Sequence, residues 1–419
     1  MNRVVITGIG AVTPVGRDAE SSWQGLRAGR SGVQRIDFYD VSSFPVQIAG
    51  ICSDFSMDQL PEPKAADYLH RGERFGVAAA AEAVRNAGLL ENGGYAPDEI
   101  GVAIGGSVDR PELQEFSDAF EVRARSDGHE MHRFPPVKTL RDSQNTAAMQ
   151  AARVAGAEGP MIGVSTACTA SAHSIGEAFR LIQDGEARAM VAGGFDALTS
   201  WCDLLGFSLL GALTNEYNDD PERASRPFDK DRSGFVLGEG SVIMVLEERE
   251  AALERGATVH AELRGYASSL NAYRMTDPPP DGGGAVIAMN AALKEAGLGT
   301  KDVDYVVAHA TSTPAGDISE TTAIKRVFGD ESDKIVVTSP KSMTGHTTCA
   351  ASALNLLAGI YAMRDSVVSP TINVDNQDPE CDLDCVPNEA REMDVNVVLV
   401  NGFAFGGTNG ALVATKAEA

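Results

Sequence analysis

Eight short apolar runs, most of them ending in small residues, constrain this sequence more than any other feature. They are RVVITGIG, IGVAIGGS, MIGVSTA, ARAMVAGG, SVIMVLEE, DYVVAHAT, KIVVTSP and NVVLVNGF. Several are apolar at successive positions, as strands covered on both faces are. Helical patterns lie between them: RFGVAAAAEAVRNAGL and GAVIAMNAALKEAGL each close on a glycine C-cap signal. Strands alternating with helices predict an α/β architecture. The stretch from about 107 to 144 is polar and predicts an irregular insertion serving as a lid or an interface. TDPPPDGGG predicts a surface loop.

With 419 residues and 43% hydrophobic content, the chain suffices for a large core or two fused domains. A net charge of −24 makes nucleic acid and anionic membrane surfaces poor partners and favours a soluble enzyme. The apolar run in MNRVVITGIGAVTP is too short for a signal sequence, and nothing reaches the ~18 apolar residues of a membrane span. Six cysteines without framework spacing predict reduced thiols in a cytoplasm. Cys381 and Cys385 lack a second ligand pair, so no metal is expected. Gly8 and Gly10 imitate a dinucleotide fingerprint, but Thr13 stands at the third glycine position and Pro14 follows. A tight strand-to-loop turn is the expectation there, and no cofactor.

GVSTACTASAHSIG clears bulk from around one thiol. The next segment carries Ile175, Ala178, Phe179 and Ile182 on one helical stripe and ends at Asp184 and Gly185. Cys168 therefore belongs at a strand-to-helix turn, where helix amides favour a thiolate and lower its pKa from ~8.5 towards ~7. The same amides can hold an oxyanion. A buried structural cysteine is the competing reading. Two further segments supply partners for a nucleophile. DYVVAHATSTPAGD places His309 where a strand gives way to a turn, and TSPKSMTGHTTCAAS places Lys341 and His346 in a second strand–turn–helix passage. His70, His129, His132 and His260 sit in polar contexts expected to be exposed, and His173 is expected to be structural. VVLVNGFAFGGTNGALVATK predicts a hairpin whose Gly406 and Gly407 let the backbone approach a ligand or a loop swing.

STACTASAHSIG, HATSTPAGD, KSMTGH and FAFGGTNG, in this order, resemble the β-ketoacyl-acyl-carrier-protein synthases of the elongating type II (FabF-like) branch. RASRPFDKDRSGFVLGEG and NAYRMTDPPPDGG match as well. The resemblance implies a thiolase-like fold: two similar α/β halves, here 1–250 and 251–419, in a five-layered αβαβα core, and a dimer. It implies that Cys168 takes an acyl group from a carrier-protein thioester, that His309 and His346 assist decarboxylation of malonyl-carrier protein, and that Lys341 orders one of the histidines. The amides of Cys168 and Phe405 would form an oxyanion hole. Phe405 matches the gating phenylalanine, Phe235 another active-site phenylalanine, and Glu239 an acidic position. No cofactor or metal is implied, and a homodimer is the default over a heterodimer.

The sequence departs from that pattern at several points. Asn355 stands where the family usually has a buried glutamate, Cys349 and Ser352 where it has glycines, Gly402 for serine, Ala404 for glycine and Ala310 for glycine. Losing the carboxylate at 355 argues against a monovalent cation nearby, and Ala404 predicts a stiffer gate. For docking an acidic carrier protein, Lys64 and Arg133 match family positions, and Arg71, Arg74, Arg123 and Arg125 are further candidates. Asp67, Gly211 and Glu216 replace other basic positions, which predicts a dedicated carrier protein. The alternatives are a thiolase acting on CoA esters, which pairs its nucleophile with one histidine and a second cysteine, and a ketosynthase subunit that depends on a partner.

Overall fold

The computed structural model describes residues 1–91, 94–108, 110, 113–131, 136, 137, 141, 143 and 145–417. The first half supplies β1 (Val4–Val12), a small ribbon of β2 (Val33–Arg35) and β3 (Ile48–Gly50), then β4 (Ile100–Gly105), β5 (Met161–Val164), β6 (Ala189–Asp196) and β7 (Gly240–Glu248). The second supplies β8 (Ala261–Leu270), β9 (Tyr305–Val307), β10 (Val336–Thr338), a ribbon of β11 (Val367–Val368) and β12 (Arg391–Glu392), then β13 (Val397–Phe403) and β14 (Thr408–Lys416). The spatial order is β5-β4-β6-β7-β1 in one half and β10-β9-β13-β14-β8 in the other. Numbered within each half, these orders are identical. A short β1–β8 pairing over Val4–Ile6 joins them.

Two buried helices, Ala170–Asp184 and Ala351–Asp365, lie between the sheets. Ile175, Phe179 and Ile182 of the first and Leu354, Leu357 and Ile360 of the second share one core cluster with strands of both halves. Helices Arg71–Ala87 and Asn145–Ala155 cover one outer face, and Gly283–Ala296 and Pro314–Phe328 the other. This is the five-layered α/β arrangement. Burial on both faces explains the unbroken apolar runs: β1 and β6 are buried throughout.

All eight apolar runs form strands. Of the ten strands of the main sheet, β14 is expected from the hairpin, and β8 is the one that neither the runs nor the hairpin disclose; its sequence AELRGYASSL mixes in polar residues. Its Glu262 is buried by an ion pair with Arg3, so the polar residue fits an interior strand. Gly8 and Gly10 are not in a turn; they lie within β1, where helix Arg71–Ala87 presses on the strand. A Cβ there would stand 2.2 Å from the Ala83 carbonyl oxygen and 2.0 Å from that of Ala79. The turn comes later, between Thr13 and Gly16. The stretch expected to be irregular contains a helix, Leu113–Arg125, with no residue buried. Leu113, Phe116 and Phe120 recur at helical spacing and stand exposed on it.

Candidate active site

Each half builds the same device at the start of its central helix. Ala167 and Thr348 both adopt left-handed backbone, with φ of 50° and 43°, and each is followed by a cysteine and one further residue before the helix begins. Cys168 and Cys349 are thus equivalent positions of the two halves, and both line one cavity of about 600 Å³. Their surroundings differ. The Cys349 amide donates to Asp196 Oδ2 at 3.1 Å, and this carboxylate with burial pushes the Cys349 thiol far up. The Cys168 and Phe405 amides face the Cys168 sulfur instead.

His346 Nε2 lies 3.0 Å from Cys168 Sγ. The ring packs edge-on to His309, with centroids 5.2 Å apart, and edge-on to Phe235 at 5.6 Å. The strand-to-turn passages predicted for the two histidines follow β9 and β10, adjacent strands of one half. His309, His346, Cys168, Phe235, Phe405 and Gly407 all line the cavity. Lys341 sits behind it, 1% exposed, on the short helix Lys341–Thr344.

The bend after β13 closes the site. Phe403 pairs with Asn409, and Gly406 and Gly407 turn the chain with φ of 83° and 80°. Thr408 Oγ1 meets Thr169 Oγ1 at 3.0 Å, tying the bend to the nucleophile's turn. Ala404 is extended, a conformation open to any residue, so the alanine introduces no backbone strain.

Burial sets the electrostatics. It pushes the Cys168 thiol up to about 12, against the pull of Lys341 and the two amides. The lowered thiol expected from the helix terminus is therefore not found: desolvation of a fully enclosed sulfur outweighs the dipole. Burial, reinforced by the Lys341 cation, holds His309 and His346 well below their usual range, so both are neutral imidazoles at neutral pH. Burial also lowers Lys341 to about 8, with Glu320, Cys168 and Asp317 opposing.

Glu320 and Asp317 are the functional groups that motif reading passed over. Glu320 is 2% exposed and accepts the amides of His309 at 2.9 Å and Ala310 at 2.7 Å and the Asn401 side chain at 2.9 Å. Asp317 Oδ1 accepts the Thr311 and Ser312 amides, and its other oxygen faces Arg232. Their signal was present: two acids three apart in the first turns of helix Pro314–Phe328, hence on one face.

Other expectations fare variously. Arg71 is bound to buried Glu239 through both carboxylate oxygens, and Arg74 donates to the Leu69 and Ala66 carbonyls, so neither is a free docking charge. Lys64 is exposed, and Arg133 and His132 lie outside the described residues. His70 is buried rather than exposed; its Nδ1 accepts the Gly72 amide at the start of helix Arg71–Ala87, and burial lowers it to about 4. His173 Nδ1 meets Thr166 Oγ1 at 2.8 Å. Asn355 donates to the Ala308 and Asn401 carbonyls at 2.8 and 3.3 Å, a pairing suited to an amide.

Comparison with known proteins gives two family matches: the N-terminal domain of beta-ketoacyl synthase over residues 1–252 and the C-terminal domain over 260–375. The chain belongs to the beta-ketoacyl synthase family. Among curated relatives of this synthase, the 3-oxoacyl-(acyl-carrier-protein) synthase 2 of Coxiella burnetii is 42% identical, covering 99% of this chain and 98% of the relative. That of Synechocystis is 43% identical over the same shares. Among solved structures, a beta-ketoacyl synthase from Burkholderia phymatum superposes with a TM-score of 0.90 at 33% identity. A type II PKS ketosynthase in complex with its acyl-carrier protein, bound to the hexaketide, gives 0.88 at 31%. Both structures and this chain are covered in full. Among the described residues, no helix is long and apolar enough to cross a membrane.

Proposed function

We propose that this enzyme takes an acyl group from an acyl-carrier protein onto Cys168 and condenses it with malonyl-carrier protein, lengthening a fatty-acid or polyketide chain by two carbons. The observation that carries this reading is the grouping of the Cys168 thiol and two neutral imidazoles in one cavity, with His346 Nε2 3.0 Å from the sulfur. In the first step the sulfur attacks the thioester carbonyl. The carrier's thiol leaves with the proton that Cys168 gives up, and the Cys168 and Phe405 amides hold the oxyanion. In the second, malonyl-carrier protein loses CO₂ and negative charge builds on its thioester oxygen. N–H groups of His309 and His346 stabilise that enolate without a metal, because neutral imidazoles donate without repelling Lys341. The enolate carbon attacks the acyl-enzyme. The 3-oxoacyl chain leaves on the carrier, and one proton restores the Cys168 thiol.

Halves 1–250 and 251–419 divide the labour, the first giving the nucleophile and the second both histidines. Lys341 and Glu320 act as positioning groups, and Phe405 gates the cysteine from the Gly406–Gly407 bend. Lys64 remains as a docking charge for the acidic carrier, with Arg133 proposed beside it from the sequence alone. The enzyme works in a cytoplasm as a homodimer through the β5 edge. In β5, Met161 and Gly163 are exposed, whereas its counterpart β10 is wholly buried and bridged through Val336 to Asp384. An uncovered edge strand is a template for pairing with a second copy.

The thiolase reading needs a second cysteine as acid/base, and Cys349 is the candidate. Asp196 consumes its amide and resists thiolate formation there, which disfavours that role. Release of CO₂ from malonyl-carrier protein tests the proposal. Wild-type protein should release CO₂ and single His309→Ala and His346→Ala variants should not, whereas equal release by the variants would reject the assigned roles.

A further inference from the structure

The two histidines are held by different means. The His346 amide donates to the Val236 carbonyl at 2.7 Å and its carbonyl accepts the Gly238 amide at 2.9 Å, so main chain fixes this residue on both sides. His309 lies just past the end of β9, and side chains hold the peptide that precedes it. The Ala308 carbonyl, at one end of that peptide, accepts Nδ2 of Asn355 at 2.8 Å. The His309 amide, at the other end, donates to Oε1 of Glu320 at 2.9 Å.

Asn401 joins these contacts into a closed circuit. Its Nδ2 donates to the same Glu320 oxygen at 2.9 Å, and its carbonyl accepts from the same Asn355 nitrogen at 3.3 Å. The circuit runs through the Ala308–His309 peptide, Glu320 on helix Pro314–Phe328, Asn401 on β13 and Asn355 on helix Ala351–Asp365. Both asparagines are fully buried. Each amide has one possible orientation, because the carbonyls and the carboxylate that it faces accept and cannot donate. Asn355 brings two N–H groups to two carbonyls, a match that an ionised carboxylate cannot make. A rotation of the Ala308–His309 peptide would change the His309 backbone angle and swing its imidazole, and the circuit holds that peptide from both ends.

We infer that Asn355 and Asn401 are positioning residues for His309, holding its imidazole where it donates to the enolate, and that they serve decarboxylation rather than acylation of Cys168. This rests on the ketosynthase reading and assigns the two amides a step within it. His346, beside the sulfur, stands outside the circuit, so the acylation step does not depend on it.

Separating the two half-reactions tests this. Octanoylation of Cys168 by octanoyl-pantetheine is followed by intact-protein mass spectrometry, and CO₂ release from malonyl-carrier protein is then measured on the octanoylated enzyme. Asn355→Leu removes both donors with little change of volume. It should keep wild-type octanoylation while slowing CO₂ release by about tenfold or more, the scale of a small misplacement of a reacting group. Asn355→Asp, which keeps the shape, and Asn401→Ala should show the same split, so any one variant that thermal melting shows to be folded decides the matter. The double variant Asn355→Leu, Asn401→Ala should be no slower than the slower single variant, because the circuit is already broken. Equal slowing of both steps, as a merely structural role would give, unchanged CO₂ release, or fully additive losses in the double variant would overturn the inference and leave the ketosynthase intact. No acylation of wild-type Cys168 by any acyl thioester would overturn both.

Discussion

A Cβ atom on Gly402 would stand 2.2 Å from the hydroxyl oxygen of Ser352. These are two of the departures from the family pattern, one losing a serine and the other gaining one, and they meet in the same space between β13 and helix Ala351–Asp365. The hydroxyl has changed sides. Gly402→Ser alone should therefore lower stability by about 1–3 kcal/mol through overpacking. Gly402→Ser with Ser352→Gly should recover most of it. Urea melts of Gly402→Ser, Ser352→Gly and the double variant check this, and additive losses in the double variant would show that the two positions are independent.

Thiol chemistry at Cys168 should follow burial and not the helix dipole. With the thiol pushed up to about 12, its alkylation by iodoacetamide should rise roughly tenfold per pH unit from neutrality to pH ~9 without levelling. Cys349, whose thiol burial and the Asp196 carboxylate push far up, should stay unmodified over the same range. A plateau near pH 7, read by peptide mass spectrometry, would mean a thiolate already formed.

Lys341 is a buried ammonium whose folded pKa of about 8 lies below the 10.5 it has when free. Between those values the unfolded chain binds more protons, so stability should rise as pH climbs from about 8 towards 10.5, and the penalty is fully present below 8. Lys341→Met should flatten that rise in denaturant melts. It should also move the acid limb of the pH–rate profile to higher pH, because one cause of the lowered histidines is gone. An acid limb that stays in place would free the histidines from Lys341.

Glu320 holds two successive amides at the His309 turn, so its loss should act on geometry. Glu320→Ala leaves those donors buried without an acceptor and should cost about 2–4 kcal/mol. Glu320→Gln keeps an oxygen but removes the charge that opposes the fall of Lys341, so Lys341 should titrate below its wild-type position. Stability of both variants, with the pH–rate profile of the glutamine, separates the two roles.

Pairing of two copies along β5 predicts a dimer in sedimentation at micromolar protein. Pro160 and Val164 bond the β4 side, so the outward donors are those of Met161 and Gly163. Gly163→Pro removes an edge donor and should shift the population to monomer, whereas persistence of the dimer would place the interface elsewhere.

Much of this architecture is written locally. β1, β4, β6 and β13 read as strands because burial on both faces requires unbroken apolar runs, and three helices end at glycines that adopt left-handed backbone, Gly88, Gly185 and Gly297. Cys168, His309 and His346 were legible from small residues around single reactive groups at strand ends. What was not legible depended on distant contacts. β8 hides behind polar residues that Arg3 and the neighbouring strands make tolerable. Gly8 and Gly10 serve the sequence-distant helix Arg71–Ala87, not a local turn. The state of Cys168 depends on enclosure by β13, β14 and the segments around His346, which no window around residue 168 contains. Arg71 looked like a free surface cation because its partner, Glu239, lies in another segment.

The central claim is that Cys168 carries the acyl chain between the two half-reactions, and intact-protein mass spectrometry tests it most directly. Incubation with acyl-carrier protein should add one acyl mass, absent from Cys168→Ala, and malonyl-carrier protein should then remove it as a chain two carbons longer. An adduct formed only from CoA esters, or one that persists after malonyl-carrier protein is added, would contradict the account.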